Sequence, residues 1–167
     1  AEAIENFFLA NNPWTISLDD EGYIDGIADA TMVADSYRDL AIKALINAYY
    51  GLHTAFEAGS GFSVTWVHAF VAEEEIIAYY IDTLQSKDKV WNEKTKKELG
   101  FDYNMTGASP IGKEWFEQAY VIELRFRTTG PESLLINEEG YIDGIADATM
   151  KGQTYKDLAI AVSELVK

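Results

Sequence analysis

Four aspartates stand out by type and spacing: Asp25 with Asp29, and Asp143 with Asp147. An i,i+4 pair shares one face of a helix. On a strand the same even spacing also keeps both side chains on one face. Two carboxylates held close are what acid–base chemistry or a divalent ion would use. Ahead of the first pair stand Asp19, Asp20 and Glu21, hard oxygen ligands on a turn. An EF-hand does not fit. With Gly22 at the loop glycine, the first and last ligand positions fall on Ser17 and Ala28; in the second segment they fall on Leu135 and Ala146. None is acidic. Such acids also simply face water on tight turns. Asp25, Asp29, Asp143 and Asp147 form a candidate metal site, and a divalent cation is the one cofactor this pattern admits.

Other catalytic signals are sparse. His53 and His68 are the two histidines, with no HExxH around either. There is no cysteine, so disulfides, thiolate metal sites and cysteine nucleophiles are excluded. A basic stretch runs through Lys87, Lys89, Lys94, Lys96 and Lys97, with Trp91 inside it. Lys94, Lys96, Lys97, Trp91, Arg125 and Arg127 are the candidate interface residues, since interfaces favour Trp, Tyr and Arg. The chain also carries 4 Trp, 10 Tyr and 8 Phe. These fill a core or line an interface equally well.

The acids sit in a repeat. Glu21–Met32 and Glu139–Met150 are the same twelve residues, 118 positions apart. In register beyond the block, Tyr37, Asp39, Leu40, Ala41 and Ile42 meet Tyr155, Asp157, Leu158, Ala159 and Ile160. The repeated segments are 16–49 and 134–167. Each reads as a β-hairpin over a glycine turn followed by a helix. Ser36 and Thr154, each followed three residues later by Asp, predict the helix caps. After the first cap, Tyr37, Leu40, Ala41, Ala44, Leu45, Ala48, Tyr49, Leu52 and Phe56 make one apolar stripe at helical spacing. Two such segments could compete for one structural slot, within a chain or between chains.

Elsewhere, Glu2–Ala10 predicts a short amphipathic helix and Phe62–Trp66 a strand. Glu73–Gln85 predicts a helix. Ser86–Lys113 reads as a long excursion with one helical turn near Glu93–Glu98. Tyr120–Arg127 alternates like a strand. The expectation is one α+β domain spanning 1–167. It has a mixed or antiparallel sheet of about five or six short strands, two or three packed helices and a duplicated hairpin–helix unit.

The charge is −15, from 28 acids against 13 bases. Nucleic acid and anionic membrane are polyanions, so neither is an expected direct partner. No run approaches the roughly 18 apolar residues of a membrane span. The first residues lack the basic and apolar regions of a signal peptide, and the expected location is cytoplasmic. The leading functional reading is a non-enzymatic binding or assembly protein that self-associates as a homo-oligomer or takes a protein partner. Two alternatives stand beside it. One is an acidic inhibitor or immunity-type protein occluding a basic, nucleic-acid-binding site. The other is a carboxylate-based divalent-ion binder or enzyme.

Overall fold

The computed structural model describes residues 2–11, 15–27, 32–59 and 63–166. Among them are five α-helices and eight strands, and every strand pair is antiparallel. The class is α+β, as expected. Where length predicts one domain, residue contacts divide the chain into two compact units, 1–50 and 51–167.

Unit 1 holds α1 (Glu2–Ala10), the hairpin β1 (Ser17–Leu18) and β2 (Ile24–Asp25), and α2 (Asp35–Tyr49). Its core is small: Ile4, Ile16, Ile24 and Ala34, with Phe7, Phe8 and Leu18 packed around them. The hairpin turn is built by Asp19, whose Oδ1 accepts the amides of Glu21 (3.0 Å) and Tyr23 (2.9 Å). Gly22 then turns with φ +83°, which a β-carbon disfavours.

Unit 2 is built on the sheet β3 (Leu52–Gly59), β4 (Ser63–Ala72), β5 (Glu75–Lys87) and β6 (Val90–Trp91), in that order. Glu73-Glu74 and Asp88-Lys89 close its tight turns, all four with positive φ, the backbone that suits hairpin twist. Beyond β6 come α3 (Lys96–Leu99), α4 (Trp115–Thr129), the hairpin β7 (Leu135–Ile136) and β8 (Ile142–Asp143), and α5 (Gln153–Glu164). Helix α4 lies on β5, and α5 lies on β3 and β4. Between them sit Val67, Ala69, Tyr79, Ile81, Ala119, Ile122, Phe126 and Val162, all buried.

Several local expectations are corrected. Tyr120–Arg127 is helix, part of α4. Its buried residues Trp115, Gln118, Ala119, Ile122 and Phe126 recur at helical spacing, and Tyr120 and Leu124 face solvent. Glu73–Gln85 is mostly β5, because Tyr79, Ile81 and Thr83 alternate inward. The first long helix stops at Tyr49, so Leu52, His53 and Phe56 belong to β3. Gly51 forces that stop: it takes φ +82°, and a β-carbon there would collide with the Val71 carbonyl. Neither Ser36 nor Thr154 caps its helix. The N-cap positions are Ala34 and Gly152, without side-chain caps. Capping boxes occur instead at Thr95–Glu98 and Glu114–Glu117.

Candidate functional site

The densest polar cluster lies along the outer edge of β5. An edge strand exposes amides that invite further pairing. Here the Ile81 amide donates to Glu123 Oε1 (2.6 Å) and the Thr83 amide to Asp82 Oδ1 (2.8 Å). Asp82 is 1% exposed and also accepts the Lys97 amide (3.2 Å) and the Tyr80 hydroxyl (3.2 Å). Lys97 pairs with Glu123, and its ammonium stands 3.5 Å from the Tyr80 ring centre. Burial raises the Glu123 carboxyl above its ordinary pKa against the pull of Lys97. Burial, helped by Asp82, pushes the Tyr80 phenol up to about 12. His68 stacks on Tyr80 (5.9 Å between centres), shares a 2.7 Å hydrogen bond with Thr54, and is held below its ordinary pKa chiefly by burial. The carboxylates of this cluster are spent on backbone amides and on Lys97. The arrangement seals a sheet edge.

A cavity of about 410 Å³ opens beside it, lined by Thr65, Lys96, Tyr103, Trp115, Glu139 and Tyr155 among others. The Lys96 ammonium lies 5.3 Å from the centres of both the Tyr103 and Trp115 rings, and burial lowers its pKa. Beneath, Tyr155 shares a 2.7 Å hydrogen bond with Thr83, and burial pushes its phenol up to about 12.

Asp25 and Asp143 are exposed on β2 and β8. Asp29 lies outside the described residues. Asp147 is paired with Lys113 (2.8 Å). Among the described residues no three histidine, aspartate or glutamate side chains come together as metal ligands. Asn137 accepts the Glu139 and Tyr141 amides as Asp19 accepts those of Glu21 and Tyr23, so this turn uses an acceptor and needs no charge. Of the basic set, Lys94 and Trp91 are exposed, whereas Lys96 and Lys97 are engaged inside unit 2. Arg125 donates to Ser133 Oγ (3.1 Å), and Arg127 is exposed.

The apolar stripe read from the sequence includes the α2 positions, and the structure leaves these without a buried residue. Tyr37, Leu40, Leu45, Ile46 and Tyr49 are 47%, 62%, 44%, 42% and 84% exposed. Periodicity detects such a face but not whether anything covers it. Tyr37, Leu45 and Tyr49 share one side of the helix with Leu40 and Ile46 flanking it on either edge, and grouped apolar surface marks an interaction site more often than scattered single residues do. No known protein family, curated protein or solved structure matches the chain. Among the described residues no helix is long and apolar enough to cross a membrane.

Proposed function

We propose that the protein is a non-enzymatic binding and assembly protein that associates through the apolar face of α2. The observation that carries this reading is a fifteen-residue helix with no buried residue and five large apolar side chains open to solvent. Burying such side chains is worth about 1.5–3 kcal/mol each at full burial, which outweighs the ordering cost once several are covered together. The driving force differs from the charge complementarity suggested by composition, because Lys96 and Lys97 already have partners within unit 2. Association through apolar surface persists or strengthens with salt, whereas pairing of exposed charges is screened.

Light scattering on the eluting protein tests this. The molar mass should rise above 18.7 kDa as concentration increases. It should hold when salt is raised and fall back in the Leu40→Asp variant. A monomer at every concentration contradicts the proposal. An oligomer that dissolves in moderate salt returns the case to charged faces.

A further inference from the structure

Unit 1 reproduces, in order, half of unit 2. Ile4, Phe8, Ile16 and Ile24 stand 118 positions before Ile122, Phe126, Leu134 and Ile142. Tyr37, Leu40 and Ala41 stand at the same separation before Tyr155, Leu158 and Ala159. All seven residues of the second set are buried. The local hydrogen bonds agree as well. Gly22 and Gly140 each donate back to the residue opening the turn (both 3.0 Å), and Ile24 and Ile142 each donate to the carbonyl closing the block, Met32 (3.2 Å) and Met150 (3.0 Å). What unit 1 lacks is the sheet. In unit 2 the helix following the hairpin covers β3 and β4, with Tyr155 reaching the Thr83 hydroxyl. In unit 1 the helix following the hairpin has no buried residue.

Resting on the reading of α2 as a binding face, we propose that its occupant is a second copy of the β3–β4–β5 sheet whose own α5 position is vacant. The α5 interface supplies the argument, because it shows what covers this face when the sequence is nearly the same. Tyr37, Leu40 and Ala41 match the docked residues one for one. Tyr37 is placed to take the Thr83 hydroxyl that Tyr155 takes in unit 2. Two positions are weaker. Ala44 stands where fully buried Val162 does, and Leu45 stands where Ser163 bonds the Tyr79 hydroxyl (2.7 Å). A tethered α5 also competes at an effective concentration of order millimolar. So α2 gains the sheet only as α5 vacates it, which sets pairing of wild-type chains at high concentration. Because the donor helix and the acceptor sheet are different surfaces, the contact runs head to tail.

The test mixes two full-length chains. The acceptor carries Leu158→Asp and Val162→Asp to open its sheet, and Leu40→Asp to silence its own α2. The donor is wild type. The expected result is a one-to-one complex of about twice the 18.7 kDa chain mass, formed with micromolar affinity, roughly the range of transient pairing. Binding should weaken at least tenfold when the donor carries Leu40→Asp, and an acceptor with wild-type α5 should bind at least tenfold more weakly than the opened one, pairing only at higher concentration. Where the double aspartate acceptor fails to fold, Leu158→Ala with Val162→Ala replaces it. A folded, open-sheet acceptor that ignores the wild-type donor overturns the proposal, as does binding indifferent to Leu40. If wild-type chain still associates through Leu40 in that case, the α2 face stands as a binding face and only the sheet is excluded as its occupant.

Discussion

Helices α2 and α5 follow the same twelve residues, share Tyr, Asp, Leu, Ala and Ile in register, and live in opposite surroundings. In α5, Tyr155, Leu158, Ala159 and Val162 are buried against a sheet. In α2, no residue is buried. The hairpins ahead of them are equivalent down to the side-chain acceptor at the turn, Asp19 in one and Asn137 in the other. Sequence therefore sets the local element in both places, and the neighbours set its energetic role. A residue's identity does not say what it contributes until its partner is known.

The comparison breaks most clearly at the shared leucine. Leu158→Ala should cost about 2–4 kcal/mol, the range for emptying a packed core site. Leu40→Ala, at 62% exposure, should stay within about 0.5 kcal/mol in dilute solution. Urea unfolding of both variants checks this, and equal losses would mean that α2 is packed.

Next in size is the sealed edge of β5 in unit 2. Replacing Asp82 by Ala leaves the Thr83 and Lys97 amides without their acceptor, at a cost of about 1–3 kcal/mol. The same urea midpoint reads it.

A pH effect follows from Glu114 in unit 2. Its carboxylate accepts the Thr106 hydroxyl and the amides of Met105 (2.8 Å) and Thr106 (3.1 Å), and these bonds hold its pKa below the ordinary glutamate value. A carboxyl with a depressed folded-state pKa contributes fully above its unfolded value of about 4.5, and that contribution disappears as pH falls through the folded value. Stability should therefore drop on acidification below that point, and Glu114→Gln should flatten the drop. An unchanged acid limb in the variant would assign acid loss to other carboxylates.

The smallest effect is at the hairpin turn. Asp19→Asn copies the residue already present at Asn137 and should change stability by less than about 0.5 kcal/mol. A larger change would mean that the first turn needs its charge.

Much of this was legible in the sequence, and the failures have physical causes. The hairpins and the helices after them could be read because glycine turns and helical apolar spacing act locally, although the helix starts were misplaced at Ser36 and Thr154. Tyr120–Arg127 misled because Ile122 and Phe126 satisfy both a two-residue and a four-residue period, and only Trp115, Gln118 and Ala119 decide between them. Glu73–Gln85 misled because apolar residues stand on both faces of β5, Tyr79 and Ile81 on one and Tyr80 and Leu84 on the other, so no clean alternation shows. The sealed edge joins Asp82, Lys97 and Glu123 from three elements, a juxtaposition no linear spacing reports. Exposure of the α2 stripe is hidden for a related reason: the sequence shows the face, and only the fold shows how exposed Tyr37, Leu40 and Tyr49 are.

Amide hydrogen exchange resolved along the chain, in dilute and in concentrated protein, tests the central claim most directly. The α5 amides should be protected at both concentrations. The α2 amides should exchange much faster in dilute protein and gain protection as concentration rises. An α2 as slow as α5 in dilute solution would contradict the account, because that helix would then already be covered.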